Sequence, residues 1–262
     1  MATLSIPLDL NDVQVCTMST PPASFCPVNH GAPADANGAG SPTDYERYMQ
    51  TEALLMLQKP EDKRVHHDEL MFQVVHQSFE LWCKLILFEL KSVGALLEQD
   101  RVVETYPLLE RCTDAIRIST ESMHVLERMT PWDFHVIRAA LGQGSGAESP
   151  GFRQIQQRAP AVWPKVEALL ARRKADLLAV YTEPTRHPEL VRLLEKLTDF
   201  DMFFSIWRLN HLAMVKRVIG RDVKSLKGYA VHQLETDVQG QLWPALWKVR
   251  NLITEKAGTS PP

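Results

Sequence analysis

Two histidines lie within apolar helical stretches that are far apart in the chain. His76 comes one turn after Phe72, and His211 comes one turn after Trp207. A neutral imidazole is a frequent metal ligand and the usual base near neutral pH. Many histidines on apolar faces are simply core residues that hydrogen-bond a backbone carbonyl, and the periodicity around His211 favours that state. A shared reaction centre therefore needs support from further residues.

Arg138 is the third candidate for chemistry. It comes one turn after Phe134 and just before a glycine-rich segment, residues 142–146. An arginine among apolar residues usually covers the surface with its stem, whereas a guanidinium in a pocket binds a carboxylate through two parallel hydrogen bonds. With His211 as axial ligand of a heme wedged between helices, and His76 as acceptor or base on the open side, the three residues would form a substrate site.

Helical periodicity continues almost without interruption from Asp44, which we expect to cap the first helix. Thr130 and Pro131 mark another helix start. A strand-like alternation is not evident in the sequence. The pattern predicts an all-α fold, an antiparallel bundle of long helices. The predicted helices span residues 44 to about 60, 66–99, 103–128, 131–141, 161–181, 188–220 and 243–253.

Residues 1–43 differ from the rest in being rich in proline and small polar residues, with little periodicity. We predict that they form a flexible arm and that residues 44–262 form one helical domain. Cys26 and Pro27 in the arm could supply a thiolate heme ligand, but a chance dipeptide is the simpler interpretation.

Composition excludes some classes of partner. The chain of 262 residues has a formal net charge of −3, which gives no reason to expect nucleic acid or an anionic membrane surface. Its four cysteines have no metal-site spacing. Because no run is long enough to span a bilayer and no signal peptide is apparent, we expect a cytoplasmic protein with free thiols.

One rival metal site has a recognisable spacing. Glu121 and His124 form the Glu-x-x-His pair of di-iron bundles, which need a second such pair, and none is present. The adjacent residues from His66 to Glu69 would point around a helix instead of converging on one ion, so we interpret them as a helix start.

Taken together, these segments resemble the tryptophan 2,3-dioxygenases, heme enzymes that open the indole ring with O2. The resemblance covers most of residues 44–222 and does not include the arm. It implies that a heme lies between helices of the bundle and that residues 44–262 form a helical heme-binding oxygenase domain. The matching stretches are Tyr45-Glu46-Arg47-Tyr48, Gln58-Lys59-Pro60, His66 to Phe72, His76-Gln77, Glu80-Leu81-Trp82, Phe134 to Arg138, Leu141-Gly142, Ser145-Gly146, Trp207-Arg208, His211, Val215 and Arg217 to Gly220.

The resemblance implies a role for each matching residue. His211 would be the proximal ligand of heme b, His76 the distal histidine that meets the indole N–H, and Arg138 the partner of the substrate carboxylate. Ser145 and Trp207 would border the heme. The other implied substrate contacts are Phe72, Ile137, Leu141, Tyr45, Tyr48 and Ser225. In the family, the helix that matches the two tyrosines reaches a neighbouring subunit's site, so we expect a homo-oligomer, a tetramer or a dimer.

The chain also departs from the family pattern. Where the family has the loop Gly-Thr-Gly-Gly-Ser-Ser-Gly, this sequence reads from Lys224 to Tyr229. Ser225 keeps a hydroxyl where a family threonine contacts the substrate ammonium, but two lysines and Leu226 replace flexible glycines. Phe134 and Phe152 replace tyrosines. The sequence therefore predicts a divergent relative, in specialised metabolism, with a small aromatic amino acid as substrate.

Three hypotheses for function follow. The first is dioxygenation of L-tryptophan or a modified tryptophan by O2 to an N-formylkynurenine-type product. The second is monooxygenation to a 2-oxindole or hydroxylated product, because the altered loop changes the alignment needed for the second oxygen transfer. The third is a heme-binding sensor without catalysis, against which Arg138 argues, since a sensor does not need a carboxylate clamp.

Overall fold

The computed structural model describes residues 41–142, 144, 148–223, 238 and 240–258. Within these residues the chain forms helices and no strand, which confirms the predicted all-α class. In chain order the helices are α1 (Asp44–Met49), α2 (Thr51–Leu55), α3 (Glu69–Glu98), α4 (Tyr106–Met123), α5 (Pro131–Ala140), α6 (Pro150–Arg158), α7 (Trp163–Arg172), α8 (Leu177–Thr182), α9 (Pro188–Ile219) and α10 (Pro244–Lys256). None of them is both long and apolar enough to cross a bilayer.

The chain divides into two compact units at Glu52. In the first unit, α1 begins with a capping box. The Thr43 hydroxyl accepts the backbone N–H of Glu46 at 3.1 Å, and the Glu46 carboxylate accepts the backbone N–H of Thr43 at 2.6 Å. The cap is therefore Thr43 and not Asp44, because the capping residue must lie three positions before the glutamate that completes the box.

In the second unit, α3 runs antiparallel to α4 after a short connection. The Cys112 thiol of α4 lies 3.8 Å from the Ile86 carbonyl oxygen of α3, and the Arg111 guanidinium lies 2.7 Å from the Glu89 carboxylate. The buried apolar faces of both helices belong to one continuous core. Burial of such faces supplies most of the stability of long amphipathic helices.

Helix α9 runs parallel to α4, which departs from the antiparallel arrangement expected from the sequence. The Tyr106 hydroxyl at the start of α4 donates to the Glu189 carbonyl at the start of α9, at 2.9 Å. Further along both helices in the same direction, one turn on in α4 and two turns on in α9, Lys196 lies 3.0 Å from the Glu110 carboxylate. The connection between the two helices contains α5 to α8, and this length allows the chain to return before α9 begins. Consequently, α3 is antiparallel to α9.

The observed helices differ from the predicted ones in several places. The stretch predicted as one helix from residue 44 to about 60 is divided into α1 and α2 at Gln50, which has a left-handed φ of 53°. A helix absent from the prediction, α6, follows Ser149, whose hydroxyl accepts the backbone N–H of Phe152 at 3.1 Å. The stretch predicted as one helix over residues 161–181 is divided into α7 and α8. Lys174 lies in that gap with a φ of 49°, a left-handed conformation that a continuous helix does not contain.

Candidate active site

Helices α3 and α9 bring the two candidate histidines into one region. Phe79 of α3 stacks on Trp207 of α9, with ring centroids 4.5 Å apart and planes 4° from parallel. His211 stacks on the same indole, with centroids 5.2 Å apart and planes 7° from parallel. His76 lies one turn before Phe79, and its charge interaction contributes to the pKa of His211. The antiparallel packing of two distant segments therefore creates the site.

His211 is held as a neutral imidazole. Burial, as the larger cause, and the nearby His76, as the smaller one, together lower the pKa of His211 from 6.5 to about 4. Because this pKa lies well below neutral pH, the ring carries no charge under ordinary conditions. A neutral imidazole with a free lone pair is the form that binds a metal.

His76 is oriented by its own helix. Its Nδ1 lies 2.7 Å from the Phe72 carbonyl oxygen. A carbonyl oxygen can only accept, so we assign the proton to Nδ1 and the free lone pair to Nε2. Burial lowers the pKa of His76, and the bond to Phe72 and the charge of Glu80 partly offset that effect. The residue is exposed to solvent, so a small molecule can approach this ring from outside.

Helix α5 adds the third candidate residue. The Thr130 hydroxyl caps α5 by accepting the backbone N–H of Asp133 at 3.2 Å, as the sequence predicted. Phe134 lies with its ring centroid 6.2 Å from that of Phe72, which brings α5 close to the helix of His76. Arg138 comes one turn later and is partly buried. Ile137, the residue before Arg138, is fully buried, and Leu141, three residues after it, is 40% exposed.

The other predicted site residues have different locations. Tyr45 and Tyr48 lie on α1 in the first unit, where they are 67% and 87% exposed. Ser145 and Ser225 lie outside the described residues. The rival di-iron pair is on the surface, where His124 Nδ1 lies 2.9 Å from the Glu127 carboxylate. In the part of the chain that the structure describes, no group of three or more His, Cys, Asp or Glu side chains could hold a metal ion.

Two features near the histidines were not found by sequence reasoning. The indole nitrogen of Trp207 is buried and has no hydrogen-bond partner within the described part of the chain. Phe152 of α6 lies against the same tryptophan, with ring centroids 5.3 Å apart. The Ser149-Pro150 pair, a cap followed by proline in the first turn, is the signal that could have revealed the start of α6.

Comparison with known proteins gives a consistent result. The family model described as tryptophan 2,3-dioxygenase matches residues 30–159 and 166–253. A tryptophan 2,3-dioxygenase of Bradyrhizobium sp. (strain ORS 278) is 30% identical over 278 residues, covering 87% of this chain and 98% of the relative. Those of Serratia proteamaculans (strain 568) and Burkholderia pseudomallei (strain 668) are 28% and 27% identical over 80% of this chain, and cover 92% and 84% of the relatives. This chain therefore belongs to the tryptophan 2,3-dioxygenase family.

Proposed function

We propose that this protein uses heme b and O2 to open the indole ring of L-tryptophan, or of a modified tryptophan, giving an N-formylkynurenine-type product. The observation that carries the proposal is the stacking of Phe79 and His211 on Trp207, which packs the helix of His76 against the helix of His211 in a member of this family. Arg138 on the adjacent α5 supports an amino-acid substrate, because its guanidinium can hold a carboxylate.

The residues around His211 fit a heme. His211 would hold the iron, since its low pKa leaves the imidazole neutral and its stacking on Trp207 limits rotation of the ring. A buried N–H without an acceptor is costly, and a carboxylate side chain of the porphyrin would satisfy the Trp207 indole N–H. Bound heme supplies the activation of O2, and the protein supplies position and surroundings.

His76 would receive the indole N–H of the substrate. Because its Nδ1 proton is engaged by the Phe72 carbonyl, the Nε2 lone pair is the atom available to accept that hydrogen bond or its proton. The lowered pKa of His76 keeps this lone pair free at neutral pH. The exposure of His76 also suits a residue that must meet a substrate that enters and leaves.

The substrate would lie between α3 and α5. We assign Arg138 to the substrate carboxylate, and Phe72 and Leu141 to the indole ring. Phe72 contacts the ring of His76, with centroids 4.1 Å apart, and Arg138 and Leu141 follow Phe134, which approaches Phe72. Fully buried Ile137 would support this wall from beneath. The resemblance is the basis for adding Tyr45, Tyr48, Ser145 and Ser225 as further substrate or heme contacts.

We also propose a homo-oligomer. An exposed apolar stripe runs along α3 at a spacing of seven residues, formed by Val74, Leu81 and Phe88, which are 48%, 52% and 66% exposed. Such a heptad spacing is typical of helix–helix contacts. Sedimentation velocity should show an assembly that Phe88→Glu weakens and that Leu252→Glu, a matched change of an exposed leucine on α10, leaves intact. A monomeric wild-type protein would contradict this part.

A cytoplasmic location is a further part of the proposal. Cys83 and Cys112 are buried free thiols, and free thiols are usual in a reducing compartment. The expected partner is a small aromatic amino acid, with neither nucleic acid nor membrane involved.

Mass spectrometry with labelled O2 tests the proposed reaction. The heme-loaded ferrous protein should convert tryptophan, or a methylated tryptophan, into a ring-opened product that carries two labelled oxygen atoms. One labelled atom together with a requirement for added reductant would support monooxygenation, which the lysines and Leu226 in place of family glycines favour. Unlabelled products or no products from these substrates would contradict both oxygenase reactions.

A further inference from the structure

Glu80 makes a connection between helices that the proposed reaction does not use. Its carboxylate on α3 accepts the Ser149 hydroxyl through one oxygen and the Gly151 backbone N–H, at 2.9 Å, through the other. The Ser149 hydroxyl in turn accepts the backbone N–H of Phe152. Glu80 lies one turn after His76, so a residue of the distal histidine's helix holds the first turn of α6.

The start of α6 lies directly on α3 at this point. A Cβ atom added to Gly151 would lie 2.5 Å from the Cβ of Cys83 and 2.6 Å from a carboxylate oxygen of Glu80. Real Cβ atoms are not found so close to their neighbours, so a larger residue would push the two helices apart. The glycine and the carboxylate therefore hold α6 in one place on α3.

The position of α6 determines a contact on the proximal side. Phe152, in the first turn of α6, lies with its ring 5.3 Å from Trp207 and 5.5 Å from Phe204 of α9. Trp207 is the indole on which His211 stacks. A displacement of the start of α6 would therefore remove one of the aromatic neighbours that hold this indole in place.

We propose that Glu80 is a positioning residue for His211: by holding α6 on α3 it keeps Phe152 against Trp207, and so fixes the plane of the imidazole. Its influence is indirect and passes through packed rings. The inference rests on the proposed function, because the plane of this imidazole matters to the chemistry only if His211 holds the heme iron. Residues that orient a metal ligand commonly contribute to metal affinity without touching the metal.

Three substitutions separate this role from general stability. Glu80→Gln presents an amide NH2 to one of the two donors, and Ser149→Ala removes one donor. Because both break the same connection, their combined effect on the free energy of unfolding should be smaller than the sum. The matched control is Glu89→Gln, which changes another carboxylate of α3. Glu89 is buried and pairs with Arg111 of α4 instead of with α6.

The experiment uses full-length protein loaded with heme. The iron–histidine stretching band of the ferrous protein is recorded by resonance Raman spectroscopy, and the rate of heme transfer to apomyoglobin is measured. We expect Glu80→Gln to shift or broaden the band and to speed heme loss about tenfold, since hydrogen bonds to a charged group are strong. Ser149→Ala should act in the same direction, whereas Glu89→Gln should lower the melting temperature and leave band and rate unchanged.

The inference is overturned if Glu80→Gln keeps the wild-type band and rate, or if Glu89→Gln alters them as much. Should Glu80→Gln fail to fold, Phe152→Leu replaces it, because that variant keeps the contact of Glu80 with α6 and removes only the ring. An unchanged band in Phe152→Leu would equally overturn the inference. A wild-type protein that binds no heme would overturn the proposed function and this role with it, so the two failures are distinguishable.

Discussion

The surroundings of His211 and His76 differ in how each imidazole is held. His211 stacks on Trp207, which Phe79 and Phe152 also contact, so aromatic rings from three helices hold its position. His76 is held within its own helix, by a hydrogen bond to the Phe72 carbonyl and by contact with the Phe72 ring, and remains accessible to solvent. The difference agrees with the proposed roles, since the ligand of a permanently bound heme benefits from rigid packing, whereas a residue that meets a changing substrate needs an open, hydrogen-bonded setting.

The largest effect should come from His211→Ala. Changes around a metal ligand typically weaken metal binding about 10- to 100-fold, so loss of the ligand itself should exceed about a hundredfold. The heme content of purified protein and the Soret spectrum measure this, and added imidazole should restore binding. His124→Ala, a surface histidine, is the matched control. Normal heme content with an unchanged ferrous spectrum in His211→Ala would refute the assignment.

Acid should destabilise the heme-free protein through the same residue. The pKa of His211 is about 4 in the folded chain and 6.5 as its ordinary value, so between these values the unfolded chain binds a proton that the folded ring does not. The free energy of unfolding should therefore decrease as pH falls from 6.5 to about 4, with about 3 kcal/mol from this residue. His211→Phe keeps a ring on Trp207 and should flatten the pH dependence measured by urea unfolding. Equal slopes in the two proteins would contradict the prediction.

In the proposed substrate site, Arg138→Lys should lower kcat/KM for tryptophan and leave heme affinity unchanged. A bidentate contact with a carboxylate contributes about 1.5–3 kcal/mol, which corresponds to roughly a 10- to 100-fold loss in kcat/KM. Steady-state kinetics with tryptophan measure the loss, and binding of indole analogues without a carboxylate should not change. Wild-type kinetics in Arg138→Lys would mean that this arginine only covers the surface.

The smallest effect is expected from Thr130→Ala, which removes the cap of α5. Loss of such a cap costs about 1 kcal/mol of stability. Because α5 carries Arg138, the KM for tryptophan should rise modestly while heme affinity stays constant. Thr130→Ser keeps a capping hydroxyl and should behave as wild type. A drop in heme affinity in Thr130→Ala would show that the surroundings of His211 depend on α5.

Much of the fold could be predicted from local signals. The periodicity placed α3, α5 and α9 within a few residues of their observed bounds, and Thr130 with Pro131 identified the start of α5. The parallel direction of α9 relative to α4 could not be predicted in this way, because it depends on the path of the chain through α5 to α8. The cap at Thr43 was missed because Asp44 also has a side chain suited to capping.

The chemistry of the site was easier to predict than its support. Histidine, arginine and tryptophan within apolar helices stand out in the sequence, and the resemblance supplied their pairing. Glu80 and Gly151 act through a contact between residues 71 positions apart, which no periodicity can show. The stacking of His211 on Trp207 follows from their spacing of one turn, but the ring of Phe79 comes from another helix.

The parallel pair α4 and α9 has a consequence for how the chain folds. Helices α3 and α4 are joined by a short connection and can pair early, because closing a short loop costs little entropy. Helix α9 can dock only after the chain has returned from the far end of α4, so its contacts with both helices are of high contact order and should form late. The region between His76 and His211 is therefore expected to be the last part of the core to assemble. Stopped-flow refolding should show φ-values for Ile86 well above those for Phe204.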